Sequence, residues 1–361
     1  MPTASYIGND EPANKPNTHK PQNSMTTTRI AFADWAKAVG IFLVVLAHTA
    51  LWHPLQNWIY VFHMPLFFFM SGYLFSFKRH PTLGGFARSR FRRLMVPYAV
   101  FNALAYTAWL LVLRHVGSDG DDGTPWYSPL IGVLTGTGDE MIHDVPLWFF
   151  LCLYIVEVAY YALFRTQSAA RRWLLILLFM ALGWLNYRLN PVRLPFSLGT
   201  ALVAMVFYAV AAEARRCGWF AGIAAAFRAR HAPLRPIATA LAITACLAVT
   251  LVVAHLNGRI NMHINYYGNY ALFFIGGFSG IAMLCLLFGI LGRSSLIERI
   301  SNRTLYICGL HLLVFAAMKG TMVYVLHVSP SVLEGTVAPN VLFALIAFIP
   351  FLFLPKKWMV V

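Results

Sequence analysis

The first long apolar segment of the chain carries a cation near its start and an imidazole further along. It reads DWAKAVGIFLVVLAH, from Asp34 to His48. Lys37 and His48 are eleven residues apart, an offset that on an α-helix returns to within ~20° of the same face and separates the residues by ~16 Å along the axis. Asp34 lies one turn before Lys37 and can form an ion pair with it. The spacing therefore predicts one helix face with a carboxylate, an ammonium group and a deeply placed imidazole.

His48 is the residue of this face that suits catalysis. A histidine inside a membrane is costly unless it has a partner or lines a hydrated cavity, so a functional role is the default interpretation. Near pH 7 a neutral imidazole can take a proton from a hydroxyl group or hold an acyl group transiently. Two alternatives stay open: a bond from His48 to the backbone of a neighbouring helix, and an interfacial role for Lys37, with its amine extended to water.

Three further ionisable side chains lie in apolar segments and are second candidates for positioning or proton relay. His63 occurs in the next segment, at a depth comparable with that of His48, so the two histidines can share a site. Glu157 and His311 occur further along the chain. Each of these two is equally suited to be half of a structural pair.

An arginine cluster follows the second apolar segment. The sequence FARSRFRRLMVPY contains Arg88, Arg90, Arg92 and Arg93. Guanidinium groups bind phosphate oxygens in pairs, so the cluster favours a polyphosphorylated ligand. The arginine cluster is explained almost as well by a cytoplasmic loop, where basic residues accumulate in membrane proteins and contact anionic lipids.

The segment 257–270 mixes amides and aromatic rings, as carbohydrate-binding surfaces do. Anchoring at the membrane interface is the competing explanation for Tyr266, Tyr267 and Tyr270.

The elements that position these residues are membrane helices. The 361 residues are 59% hydrophobic and only 11% charged, which is too apolar for one water-soluble core. The apolar residues form blocks of roughly 17 to 25, the length a helix needs to cross the hydrocarbon layer. We therefore predict an all-α, polytopic membrane bundle of about ten transmembrane helices. The predicted spans are 31–52, 57–77, 94–113, 146–164, 172–188, 195–213, 236–256, 269–291, 303–325 and 339–355.

The distribution of basic residues predicts the orientation. With a cytoplasmic N-terminus, 22 of the 28 Lys and Arg residues fall in segments on the cytoplasmic side and four in outer loops, as the positive-inside rule requires. Both termini are then cytoplasmic, and these clusters between apolar blocks do not suggest nucleic acid as a partner. Residues 1–28 are expected to form a disordered cytoplasmic tail and 29–361 the membrane domain. The five cysteines have no metal-ligand spacing, so neither a metal nor a disulfide is expected.

Several segments together resemble the acyltransferase-3 family. They are DWAK (34–37), VVLAH (44–48), FHMPLFFFMSGYLF (62–75), RFRR (90–93), PLWFF (146–150), YGNYALF (267–273) and LYICGLH (305–311). Family members carry Arg or Lys, ten residues and then His in the first span, as Lys37 and His48 do, and an RxxR pair, as Arg90 and Arg93 do. The chain is most similar to the fucose 4-O-acetylase-like branch, although Ala38 and Ala47 stand where glycine is expected there.

The resemblance implies an O-acetyltransferase of the bacterial inner membrane. Its donor would be acetyl-CoA, with no permanently bound cofactor, and its acceptor a hydroxyl group of a surface or exported glycan or a lipid-linked saccharide. The catalytic residues would be His48, Asp34 and Lys37. Lys37, Arg90 and Arg93 would bind the donor phosphates.

Two other function classes stay open. Ten spans with intramembrane His, Glu and Lys also suit a proton-coupled transporter of a small acid or glycan precursor. Transporters commonly show internal repeats with interrupted helices, and none is evident in this sequence. A non-catalytic subunit of a glycan-assembly complex is the third class, and it does not require the Lys37 to His48 face.

Overall fold

A computed structural model describes residues 30–116, 123–136, 145–189, 194–219 and 235–355. Within these ranges the chain is helical and no strand forms, so the predicted all-helical fold class is confirmed. The predicted tail, 1–28, lies outside them. The α-helices in chain order are α1 (Ala31–Ala47), α2 (His53–Leu74), α3 (Leu83–Arg90), α4 (Val96–Leu111), α5 (Ser128–Thr135), α6 (Trp148–Phe164), α7 (Ala169–Leu189), α8 (Leu198–Arg216), α9 (Arg235–Asn257), α10 (Tyr270–Gly289), α11 (Ser295–Asn302), α12 (Thr304–Tyr324) and α13 (Ala338–Leu352).

Each of the ten predicted spans coincides with a helix. Among the described residues, six helical segments are long and apolar enough to cross a membrane. They are Leu83–His115, Ala169–Leu189, Pro195–Arg216, Pro236–Asn257, Tyr270–Gly289 and Thr304–Tyr324. Helices α6 and α13 are apolar but shorter. The chain is thus a multi-pass membrane protein, and the number of ten crossings stays a prediction.

Two helices present large apolar faces outside the packed core. Exposed leucines on α7 include Leu174, Leu177, Leu178 and Leu185, and those on α9 include Leu241, Leu251 and Leu256. Water-soluble monomers rarely expose contiguous apolar surface on this scale. Contact with lipid tails accounts for both faces.

Helix α2 lies at the centre of the bundle, packed against α1, α8, α9 and α10. Gly72 of α2 lies against the backbone of α8, where a Cβ atom would overlap the carbonyl group of Tyr208. Gly280 of α10 lies equally close to the ring of Phe62. Small residues let helices approach closely in lipid, where packing rather than water exclusion drives association. This packing holds α2 on several sides, and α2 carries Tyr60 and His63.

Helix α1 is shorter than predicted. It ends at Ala47, and the N–H groups of His48 and Thr49 donate to the carbonyl groups three residues earlier, at 3.2 and 3.1 Å. The side chain of Gln56 donates to the Ala47 carbonyl at 2.8 Å and satisfies one end of the helix. The chain then reverses into α2, whose N-terminus is occupied by His53 and a proline suited to a first helical turn. The prediction that the helix continues to residue 52 is wrong, and His48 lies in the turn directly after α1.

Candidate active site

A cavity of about 260 Å³ lies beside the turn that follows α1. Its polar lining includes His48, Tyr60, His63, Arg259 and His263, and we call it the histidine cavity. The other lining residues are Val44, Met64, Pro146, Trp148, Ile260, Asn261, Met262, Cys308 and Leu312. The cavity thus brings together His48 and His63, the two histidines predicted to lie at comparable depth.

The hydrogen bond of His48 determines which ring nitrogen is basic. Its Nδ1 atom lies 2.7 Å from the carbonyl oxygen of Val44, one turn back on α1. A carbonyl oxygen can only accept, so Nδ1 carries the hydrogen and Nε2 keeps its lone pair. The half-buried imidazole therefore combines a fixed orientation with a nitrogen that can accept a proton.

His63 and His311 are held in the same tautomer. Nδ1 of His63 donates to the carbonyl oxygen of Ile59 at 2.9 Å, and Nδ1 of His311 donates to that of Cys308 at 2.9 Å. Both side chains are buried. The rings of His48 and His311 meet edge to face, with 5.0 Å between their centroids. His311 therefore supports the cavity from behind His48.

Arg259 supplies a permanent positive charge to the cavity. Its guanidinium group stacks over the ring of Tyr60, 4.6 Å from the centroid, and donates to the Tyr60 hydroxyl at 3.0 Å. The Tyr60 ring in turn contacts His63, at 4.9 Å between centroids. Across the cavity, Trp148 contacts His263 at 5.9 Å. Three imidazoles, a cation and two aromatic rings thus surround one small space.

A second group of polar residues lies at the opposite end of α1. Lys37 forms an ion pair with Asp34 at 3.6 Å, as the spacing predicted, and Asp34 is buried. The Ser301 hydroxyl of α11 donates to Asp34 at 2.6 Å. Asp34 therefore holds Lys37 to α1 and joins α1 to α11. Helices α1 and α12 run side by side from this end to the contact between His48 and His311.

Arg90 belongs to a different helix pair. It forms an ion pair with the buried Glu157 of α6, with 3.1 Å between Nε and Oε2. The π-helical turn Phe91–Met95 follows directly and joins α3 to α4. Such turns are rare and are often found at functional sites. Glu157 is thus half of a structural pair, and much of the binding capacity of Arg90 is already used.

Arg93 lies within the π-helical turn and is exposed. Among the described residues it forms no hydrogen bond or ion pair. Burial, and after it the cations of Arg90 and Arg79, lower the pKa of His80 in the nearby loop. This region is therefore strongly positive, and Arg93 is better placed than Arg90 to contact a phosphate from solution.

A family model described as an acyltransferase domain matches residues 30–355. The chain belongs to the acyltransferase-3 family. No curated protein and no solved structure matches it significantly. Membership of the acyltransferase-3 family makes the chain a membrane acyltransferase. The matched range includes both polar regions, the one around Lys37 and the histidine cavity, within one domain.

The sequence did not identify some of the site residues of this acyltransferase, and the role of one residue was misinterpreted. Arg259 and His263 line the cavity. They lie in segment 257–270, which was interpreted through its amides and aromatic rings, and neither was named as a site residue. Interfacial anchoring is wrong for Tyr267, which is fully buried and donates its hydroxyl hydrogen to Asn265 at 2.8 Å. Tyr266 is exposed, as an anchor requires. The signal for Arg259 was present in the charge bias, because it is a cation in a loop predicted to lie outside.

Proposed function

We propose that this acyltransferase transfers an acetyl group from acetyl-CoA to a hydroxyl group of a surface or exported glycan. It acts in a bacterial inner membrane, with both chain termini in the cytoplasm. The observation that carries the proposal is the orientation of His48, whose Nδ1–H is held by the Val44 carbonyl at 2.7 Å. Nε2 is then the nitrogen available to an acceptor hydroxyl in the histidine cavity. The resemblance to the fucose 4-O-acetylase-like branch supports a sugar as the acceptor.

The chemistry is a direct acyl transfer with His48 as the base. Nε2 takes the hydroxyl proton while the hydroxyl oxygen attacks the thioester carbonyl carbon. A C–O ester bond forms, the C–S bond breaks, and the imidazolium gives its proton to the departing sulfur. The products are the O-acetylated sugar and free CoA, and His48 returns to its neutral form. The C-terminal end of α1, with its partial negative charge, stabilises the imidazolium between the two proton transfers.

The donor occupies the other end of α1. Acetyl-CoA carries its phosphates at one end and its thioester at the tip of the long pantetheine arm. Lys37 and His48 are separated by ~16 Å along the helix axis, a distance suited to such an extended arm. Lys37 and Arg93 bind the phosphates. Arg90 has a smaller share because of its ion pair with Glu157 at 3.1 Å.

The acceptor binds among the aromatic rings of the cavity. The Trp148 and Tyr60 side chains both line it, and aromatic faces suit the apolar face of a sugar ring. At about 260 Å³ the cavity is close to the lower limit of small-molecule sites, about 300 Å³. It therefore suits one sugar unit of a longer glycan.

A deletion strain tests the function. Exported glycan from the source strain, the deletion strain and the complemented deletion strain is compared by NMR before and after mild alkali, which removes ester groups. We expect O-acetyl signals to be lost on deletion and restored by the wild-type gene, with the amount of glycan unchanged. An unchanged set of esters would contradict the proposal. Loss of the glycan itself, with normal acetylation of what remains, would favour a transporter instead.

A further inference from the structure

The histidine cavity contains a cation that charge bias does not explain. Arg259 is one of only four Lys and Arg residues in the loops predicted to lie outside, where basic residues are disfavoured. It follows the end of α9 by two residues, after Gly258, whose positive φ of 62° turns the chain. The turn brings the segment from Arg259 to His263 onto the cavity.

We infer that the acceptor carries an oxyanion group, a carboxylate or a phosphate, beside the hydroxyl that is acylated, and that Arg259 recognises it. The inference rests on the proposed function, because it names the chemical class of the acceptor. Arg259 is then a specificity-determining residue of the histidine cavity.

The charge of the cavity lining supports this inference. No lining residue is Asp or Glu. His48 and His63 both donate from Nδ1 to backbone carbonyl oxygens, an arrangement compatible with neutral rings. Arginine is always protonated, so Arg259 is the one permanently charged side chain of the described lining. A permanent cation without an acidic partner in the described lining suits an anionic ligand.

The contacts of Arg259 leave it able to bind such a ligand. Among the described residues it forms one hydrogen bond, to the Tyr60 hydroxyl at 3.0 Å, out of five possible donors. Stacking over the Tyr60 ring at 4.6 Å fixes the plane of the guanidinium group. A planar, oriented guanidinium group is suited to a bidentate bond with a carboxylate or a phosphate.

The size of the cavity decides where the anion lies on the acceptor. Arg259 and His48 line one space of about 260 Å³, so the group bound by Arg259 and the hydroxyl facing His48 belong to the same sugar unit or to adjacent atoms. Two sources fit: the carboxylate of a sugar acid, or a phosphate ester on the sugar, including the link to a lipid carrier.

Binding to the purified full-length protein in lipid nanodiscs tests the inference without requiring transfer. D-glucuronate and D-galacturonate, glucose 1-phosphate, and the neutral sugars glucose and galactose are titrated by calorimetry at fixed low ionic strength. We expect at least one anionic sugar to bind about tenfold or more tightly than its neutral counterpart. The better class, carboxylate or phosphate ester, identifies the source of the anion. Equal binding of charged and neutral sugars, or binding of none, would overturn the inference.

Variants attribute the preference to this residue. Arg259→Gln should abolish the preference for anionic sugars, and Arg259→Lys should keep part of it, because charge remains but the planar fork is lost. Arg114→Gln is the matched control, since Arg114 also stacks on an aromatic ring, that of Trp109 at 5.0 Å, but does not line the cavity. If Arg259→Gln keeps the preference, the recognition lies elsewhere and the inference is wrong.

Transfer kinetics in membranes with the native acceptor separate this inference from the proposed function. Arg259→Gln should raise the acceptor KM by about tenfold or more and change kcat little, as expected for a binding residue. A lower kcat with an unchanged KM would instead make Arg259 a stabiliser of the reaction's oxyanion and would contradict acceptor recognition. Anion binding without any acetyl transfer by the wild-type protein would mean that the proposed function has failed, while the anion site itself exists.

Discussion

Replacing His48 by asparagine separates the roles of its two ring nitrogens. The asparagine amide can keep a donor near the position of Nδ1, which lies 2.7 Å from the Val44 carbonyl, but it is not a base near pH 7. Loss of a general base typically lowers a rate by about 10²- to 10⁴-fold. The retained hydrogen bond is of a kind worth about 1 kcal/mol. We therefore expect a loss of acetyl transfer of about 10²-fold or more, with thermal stability close to that of the wild type.

The assay measures the initial rate of labelled acetyl transfer from acetyl-CoA to the glycan acceptor in membrane vesicles, normalised to the amount of protein. His255→Asn is the matched control: His255 lies in the last turn of α9 and so is also close to a helix C-terminus, but it is exposed and does not line the cavity. It should retain the wild-type rate. His48→Ala should be as inactive as His48→Asn and somewhat less stable. If His48→Asn keeps a rate within about threefold of the wild type, far above the loss expected for a base, His48 is not the base.

Three other changes test the remaining parts of the structure. Arg90→Ala should lower the free energy of unfolding by about 3–5 kcal/mol, because it leaves the buried Glu157 unpaired. In thermal unfolding, the double variant with Glu157→Gln should regain much of the lost stability. A double variant no more stable than Arg90→Ala would contradict the ion pair. Asp34→Asn should raise the KM for acetyl-CoA more than it lowers kcat, since the neighbouring lysine loses its partner at 3.6 Å; an unchanged KM would remove that lysine from donor binding. Cysteine labelling should modify Arg88→Cys only from the cytoplasm and Asp121→Cys only from outside, and the reverse pattern would overturn the orientation.

The positions of the helices followed from the sequence because apolar block length is a local property. Each predicted span coincides with a helix, since a chain in lipid must satisfy its backbone groups within the segment. The end of α1 did not follow, because it depends on a contact between separate elements, the bond from Gln56 to the Ala47 carbonyl at 2.8 Å. A pattern of apolar residues alone contains no information about such a bond.

The candidate site was predictable to the extent that it lies on regular helices. His48 and His63 were predicted at one depth on successive antiparallel helices. The structure places both on one cavity, with His63 within α2 and His48 directly after α1. The position of Arg259 and His263 on this cavity was not predictable, because their loop is held in place by a contact from another part of the chain. The Thr200 hydroxyl of α8 donates to the Met262 carbonyl at 2.8 Å and holds the loop against the bundle. Loop position depends on such contacts, which helical periodicity does not describe.

The ends of helices distinguish His48 from His63 and His311. His63 and His311 lie within α2 and α12, where the surrounding peptide dipoles largely cancel and both side chains are buried. His48 follows the last residue of α1 and is only half-buried. A helix C-terminus carries a partial negative charge that favours a cation, by about 0.3–1 kcal/mol at exposed sites and more where partly buried. All three rings have the same tautomer, but His48 is the one that both lies at a helix C-terminus, whose partial negative charge favours a cation, and lines the cavity. Because α1 ends at Ala47 and does not continue to residue 52, His48 lies at the helix C-terminus, and this position makes it the most suitable base.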